Sequence, residues 1–196
     1  MEKINFIKTF IPQGDFREKY EHGGMMVRHL AAVLDEKMGA YECYECTVPI
    51  GEYDEGEIQK AFVEFSAKMD ALKLKQAKAD KIAEISAYDT SSSVNGFILN
   101  GLLVWLDKAT RVGLMNSTTI AKAAGQKTTT LWLGGLKLVV DCDKAIQLLS
   151  ALEMYALECF NVTASHKQAV SELTTIEEVE AYNYKAGYPK MLEMSV

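Results

Sequence analysis

Two of the four cysteines stand three positions apart, and this spacing is the first pattern in the chain that could do chemistry. Cys43 and Cys46 form a single Cys-x-x-C, the spacing of half a zinc site or of a redox pair. The alternating character of residues 40–48 predicts a strand, on which residues three apart point to opposite faces. Their Cα atoms would then lie roughly 10 Å apart, beyond disulfide range. We therefore expect structural free thiols, with no metal and no cofactor.

A second cysteine could act with a histidine. Cys159 and His166 could form a nucleophile and its base, but seven residues of helix separate them by roughly 10 Å of rise. Such a catalytic pair needs a direct hydrogen bond. His22 and His29 have no companion ligands at metal spacing. We therefore assign no catalytic, cofactor-binding or metal-binding residue, and we expect that the protein is not an enzyme.

Three larger side chains could contact a ligand. Arg111 follows Asp107 by four residues on a predicted helix, which favours an ion pair between them; an anion site is the alternative. Trp105 and Trp132 lie in two predicted hairpins and form a candidate aromatic surface on which a ring could stack.

Composition excludes several classes of partner. The chain has 196 residues, of which 48% are hydrophobic, enough to bury a substantial core. Its formal net charge of −6 argues against nucleic-acid binding through phosphate contacts. No apolar stretch approaches the roughly 20 residues of a membrane span, so we expect no membrane partner. The first residues, MEKINFIKTF, lack the apolar core of a signal peptide, so we expect the cytoplasm of the producing cell.

The second half of the chain repeats one pattern. Asn100-Gly101 and Gly134-Gly135 each separate two apolar runs, and such pairs favour the type I′ turn of a β-hairpin. Asp107, and then Asp141 or Asp143, stand before helical periods as N-caps. This order predicts hairpin–helix–hairpin–helix, with both hairpins in one antiparallel sheet, because an isolated hairpin is marginally stable.

The first half predicts a small antiparallel meander followed by a long helix. We expect strands over residues 4–11 and 40–49, a loop over 13–24, and a hairpin loop over 35–39. Residues 26–34 favour a strand, with a helix as the alternative. An apolar stripe predicts one helix over residues 57–87. The fold class is therefore α+β, with an N-terminal β-rich domain (1–55), a linking helix (56–88) and a C-terminal α+β domain (89–196).

The last predicted helix carries the most regular pattern. Apolar residues recur at alternating spacings of four and three, as on a face that is buried along its length. The stripe predicts either packing on the protein's own sheet or a seam between subunits of a homo-oligomer. The candidate interface residues are Leu149, Leu152, Cys159, His166 and Val170.

Residues 82–196 resemble a known family. The residues that carry the resemblance form the segments KIAEISAYDTSSSVNGFILNG, WLDKATRVGLMNS, TTTLWLGG, LEMYALECFNVTASHKQAV and EEVEAYNYKAGYP. They are similar to an uncharacterised domain family of bacteriophages and prophages, encoded in tail-gene neighbourhoods near or within tail-fibre proteins. The family has no assigned activity or catalytic residues, so the resemblance implies none here.

The resemblance implies a tail-associated structural or assembly protein that acts through protein–protein interaction. Its expected partners are other phage tail proteins and further copies of itself. Its expected location is the cytoplasm of a bacterial host, or the virion if it is incorporated there. The alternative function is a small-ligand or saccharide-binding module that uses the aromatic residues.

Overall fold

The computed structural model describes residues 4–14, 17 and 19–196, and these residues form an α+β protein. The chain divides into two compact units, one up to Lys73 and one from Leu74 to Val196. Helix α1 (Glu55–Asp89) contributes residues to both units.

The first unit contains a four-stranded antiparallel sheet in the order β1-β4-β3-β2. The strands are β1 (Ile7–Pro12), β2 (Lys19–His22), β3 (Met25–Asp35) and β4 (Ala40–Pro49). Pro12 ends the edge strand β1, where the missing N–H costs no ladder hydrogen bond. Residues 26–34 lie within β3, so the predicted strand at these residues is confirmed.

The predicted loop over residues 13–24 is wrong at its end, because β2 lies within it. Gly23 and Gly24 both have positive φ, 56° and 76°, and join β2 to β3 in a two-residue hairpin turn. Lys19–His22 are mostly polar and lack the alternation that predicts a strand, yet they form a strand at the edge of the sheet. Residues 15, 16 and 18 of this predicted loop lie outside the described residues.

One face of this sheet packs on the first half of α1. Met26, Cys46 and Val48 share a buried cluster with Ile58 of the helix. The Tyr44 ring meets the Phe65 ring edge-on, with centroids 5.1 Å apart. The first part of the apolar stripe predicted for this helix, from Ile58 to Phe65, therefore packs on the sheet, as expected of an amphipathic helix.

The second unit contains both predicted hairpins. The first comprises β5 (Gly96–Leu99) and β6 (Leu102–Trp105), and the second comprises β7 (Thr128–Leu133) and β8 (Leu136–Asp141). Asn100 and Gly101 have φ of 50° and 82°, and Gly134 and Gly135 have φ of 57° and 89°. These are the positive values that a type I′ turn requires at both positions.

The prediction of a single sheet for the two hairpins is wrong. A last strand, β9 (Leu192–Met194), pairs in parallel with β5 and gives a sheet in the order β6-β5-β9, while β7 and β8 form their own two-stranded sheet. The hairpins instead pack on each other, since Phe97, Leu99 and Val104 share one buried cluster with Leu131 and Leu133. This cluster, which also contains residues of the last long helix, buries apolar side chains of both hairpins although their edges do not pair.

Four further helices complete the second unit. They are α2 (Ser92–Asn95), α3 (Lys108–Ala123), α4 (Cys142–Glu172) and α5 (Ile176–Ala181). Asp107 caps α3, and Asp141, rather than Asp143, caps α4. Among the described residues, no helix combines the length and apolar character that a membrane crossing requires.

Candidate functional site

A groove of about 530 Å³ opens on the second unit and is the candidate functional site. It lies between the start of α3, one face of α4 and the segment that joins α1 to β5. Its lining residues are Asp89, Thr90, Asn95, Trp105, Leu106, Asp107, Lys108, Arg111, Glu153, Ala156, Leu157 and Phe160. Its volume falls within the roughly 300–1,000 Å³ typical of small-molecule sites.

The N-cap of α3 fixes one end of the groove. The Thr110 amide donates a 2.8 Å hydrogen bond to Asp107 Oδ1, and the Thr110 hydroxyl donates a 2.6 Å bond to Oδ2. These bonds, the hydroxyl first, hold the pKa of Asp107 below its usual value. Both carboxylate oxygens are thereby engaged with Thr110, and the predicted ion pair between Asp107 and Arg111 does not form.

Arg111 crosses to α4 instead. Its Nε donates to Glu153 Oε1 at 2.8 Å, and its Nη1 donates to the Leu106 carbonyl at 2.8 Å. Only 7% of Arg111 is exposed. Among the described residues, none accepts a hydrogen bond from Nη2, so one guanidinium nitrogen remains available to the groove that this side chain lines.

Three large apolar side chains form the walls of the groove. Trp105 comes from the end of β6, and Leu157 and Phe160 stand one turn apart on α4. They are 40%, 50% and 59% exposed. Exposed apolar residues gathered in one concave surface are typical of a binding site.

Asp89 and Asn95 supply polar atoms on another side. Asp89 Oδ1 accepts a 2.8 Å bond from the Thr163 hydroxyl, and the Asn95 side-chain amide donates to the Asp89 main-chain carbonyl at 2.6 Å. In the part of the chain that the structure describes, Asp89 Oδ2 and Asn95 Oδ1 have no hydrogen-bond donor. Both oxygens can therefore accept a bond from a ligand.

A family model for a domain of unknown function, DUF4376, matches residues 76–186. The chain belongs to the DUF4376 family. Every residue that lines the groove lies within the DUF4376 region, whereas β9 lies outside it. No curated protein and no solved structure matches the chain.

The candidate interface residues on α4 are buried or partly buried within the second unit. Leu149, Leu152, Cys159 and Val170 are at most 1% exposed and belong to buried apolar clusters of this unit. His166 is partly buried, with Nδ1 hydrogen-bonded to the Tyr182 hydroxyl at 2.8 Å and Nε2 to the Ala186 carbonyl at 2.9 Å. These side chains are therefore covered by other residues of the same unit.

The two tryptophans do not share a site. Trp105 lines the groove of the second unit. Trp132 does not line the groove; it lies on the outer face of β7 and is 60% exposed. Lys137 stands across the hairpin with its Nζ 6.0 Å from the Trp132 ring centroid. Of the two tryptophans, Trp105 therefore belongs to the candidate site, together with the aromatic ring of Phe160.

The cysteines are free and buried. Cys43 and Cys46 are each 1% exposed, and burial raises the pKa of the Cys46 thiol to about 11. The Cys159 thiol donates to the Val94 carbonyl at 3.4 Å, and burial also raises its pKa. Among the described residues, no group of three His, Cys, Asp or Glu side chains could hold a metal ion.

Sequence reasoning named Trp105 and Arg111 but did not join them in one site. The missing partners were Leu157 and Phe160, which lie outside the buried stripe of α4. Two large apolar residues three positions apart beside the buried stripe of an amphipathic helix are a signal of a second apolar surface. The contribution of Asp89 depends on its position relative to α4, which the loop signal of the neighbouring serines did not specify.

Proposed function

We propose that this chain is a tail-associated structural or assembly protein of a bacteriophage or prophage, and that it acts by binding other proteins. The similarity of residues 82–196 to a family encoded in tail-gene neighbourhoods supports the tail association. The surface of the second unit supports binding as the mode of action.

The open edge of β6 is the observation that carries the proposal. β6 pairs with β5 on one side, and no strand among the described residues pairs with its other side. Leu102, Leu103 and Trp105 of this strand are 53%, 59% and 40% exposed. Natural proteins usually protect such edges with charged residues, proline or a bulge, and β6 contains no charged residue and no proline.

An extended segment of a partner can add to this edge as a fourth strand. Its main chain would take up the unpaired N–H and C=O groups of β6, and its side chains would cover Leu102 and Leu103. Addition of a strand to an exposed sheet edge is a common form of protein recognition. Each leucine removed from water contributes about 1.5–3 kcal/mol at full burial.

Site-specific cross-linking tests this proposal in cells that produce the phage. A photo-cross-linking amino acid replaces Leu103 in one variant and Ile120 in the control. Ile120 is 69% exposed on α3 and lies outside both β6 and the groove. We expect tail proteins to be cross-linked from position 103 and not from position 120. Equal capture from both positions, or no tail protein at position 103, would contradict the proposal.

The same edge suits self-association, since two copies can pair β6 with β6 about a two-fold axis. Light scattering from low to high micromolar concentration measures this directly. We expect a dimer that Leu103→Lys converts to a monomer, because lysine is a typical guard of edge strands. A monomeric mass for the unmodified chain at all concentrations would refute self-association without bearing on the tail partner.

A second candidate function is small-ligand binding. The groove favours it, because apolar walls and a few converging polar groups coexist in one concavity.

A further inference from the structure

We infer that the groove binds a neutral saccharide, with a sugar ring on Trp105 and its hydroxyl groups on Arg111 and Asp89. This inference rests on the ligand-binding candidate and not on the tail association. Three properties of the groove narrow the ligand class: its net charge, its unfilled hydrogen-bonding groups and the shape of its apolar walls.

The charges of the groove argue against an anion. Glu153 lies 2.8 Å from Arg111 and balances its charge. Of the remaining ionic residues, Lys108 is positive, and Asp89 and Asp107 are negative. The groove therefore has a small net negative charge, which repels phosphate or carboxylate ligands at this range.

The buried guanidinium argues against a purely apolar ligand. Arg111 is more than nine-tenths buried, and its Nη2 has no acceptor among the described residues. A hydrocarbon in the groove would remove water from Nη2 and supply no hydrogen bond. Leaving a buried donor unsatisfied costs roughly 1–3 kcal/mol, and more for a charged group.

Hydroxyl groups can pair with both the hydrogen-bond donor and the hydrogen-bond acceptors that the groove leaves unfilled. A hydroxyl can accept a bond from Arg111 Nη2 and donate one to Asp89 Oδ2 or Asn95 Oδ1. Bonds with an ionised partner are the stronger ones. A ligand with several hydroxyls on one rigid ring can make these bonds together without ordering a flexible chain.

The walls match the apolar face of a sugar ring. Sugar C–H bonds gather on one face of the ring, and such a face packs on the electron-rich surface of an aromatic side chain. Trp105 offers a half-exposed indole, with Leu157 and Phe160 on α4 as further apolar surface. The volume of about 530 Å³ suits a ligand of small oligosaccharide size.

Saturation-transfer NMR with the full chain tests the inference. The probes are maltose, cellobiose, lactose and di-N-acetylchitobiose as neutral sugars, digalacturonate as an acidic sugar, and an uncharged tetrapeptide. We expect transfer to the ring protons of at least one neutral sugar. Absence of transfer to every neutral sugar, or transfer only to the acidic sugar or the peptide, would overturn the inference.

Three variants locate the site. Trp105→Ala and Phe160→Ala should weaken binding of the responding sugar by about tenfold or more, since each removes part of the stacking surface. The control, Trp132→Ala, removes a more exposed indole that lies outside the groove, and it should leave binding unchanged. Equal losses in Trp105→Ala and Trp132→Ala, with melting temperatures near that of the unmodified chain, would contradict the assignment to this groove.

Arg111→Lys separates hydrogen-bond geometry from charge. Lysine keeps the positive charge but lacks the planar fork, so the affinity should fall while the preference for neutral over acidic sugars persists. A gain of acidic-sugar binding in Glu153→Gln would support the charge argument, and its absence would count against it. Cross-linking from position 103 does not involve these contacts, so failure here is distinguishable from failure of the tail association.

Discussion

Arg111 and Glu153 join the start of α3 to the middle of α4 through a 2.8 Å hydrogen bond between Nε and Oε1. The arginine is buried, and the glutamate side chain is 35% exposed. Such a pair does not by itself add much stability, but removing one member leaves the other without its partner. The pair therefore links α3 to α4 beside the groove.

Glu153→Ala should lower the free energy of unfolding by about 2 kcal/mol, because hydrogen bonds to charged groups are worth about 1.5–3 kcal/mol. Urea denaturation measures the change. Glu158→Ala is the control on the same helix, since Glu158 is exposed, and it should change stability by less than about 0.5 kcal/mol. If Arg111→Met and Glu153→Ala proved fully additive, the proposed coupling between these residues would be refuted.

Tyr155→Phe should destabilise the second unit by about 1–2 kcal/mol, since the phenol donates a 2.7 Å bond to the buried Val94 carbonyl. The ring would remain in the core, so the loss isolates the hydroxyl group. Thermal unfolding of the variant measures the effect. An unchanged melting temperature would contradict this prediction and would mean that the Cys159 thiol, which also donates to the Val94 carbonyl, is a sufficient donor.

Two glycines should respond in opposite directions to alanine. A Cβ on Gly96 would lie 2.2 Å from the Ser92 carbonyl oxygen, so Gly96→Ala forces main-chain atoms apart and should destabilise the hairpin strongly. A Cβ on Gly113 would meet nothing within 4 Å, inside α3, so Gly113→Ala should stabilise by about 0.5–1 kcal/mol. Denaturant midpoints of the two variants on the same side of the unmodified value would contradict this.

Stability should fall as the pH rises from about 9 towards 11. The pKa of Cys46 is raised to about 11 by burial, so this thiol stays protonated in the folded state while the unfolded thiol ionises. Its contribution is therefore complete below the unfolded pKa and is lost as the pH rises through the folded pKa. Urea midpoints across this range should fall less steeply for Cys46→Ala than for the unmodified chain. Parallel curves would disprove a raised pKa at Cys46.

Chelators and reductants should leave the fold intact. Cys43 and Cys46 are free and buried, and the described residues form no metal-binding group. Melting temperatures with and without EDTA or dithiothreitol should agree. Stoichiometric zinc by elemental analysis would show that the Cys-x-x-C does hold a metal.

The hairpins and caps of the second unit were predictable because their signals are local. Asn100-Gly101 specifies a type I′ turn, and the Asp107 side chain accepts from the Thr110 amide within one turn of its own position. The strand at Lys19–His22 was missed because its polar residues hide the alternation, although Gly23-Gly24 gave the same turn signal.

The sheet order and the groove were not predictable from local signals. β9 pairs with a strand far away in the sequence, and short apolar segments do not specify their non-local partners. For the same reason, the heptad-like stripe of α4 was compatible both with a core and with an interface. Arg111 pairs with Glu153 and not, as was predicted, with Asp107, because both carboxylate oxygens of Asp107 accept hydrogen bonds from Thr110 at the helix cap.

The parallel pairing of β9 with β5 has a consequence for the order of folding. The β5–β6 hairpin closes a two-residue turn and can form within microseconds, whereas Phe97 and Leu192 must meet across almost the whole second unit. The entropy cost of closing such a long loop comes before any favourable contact between the two strands can form. We therefore expect β9 to dock late and to detach early, so that amide exchange along Leu192–Met194 outpaces exchange in Gly96–Leu99.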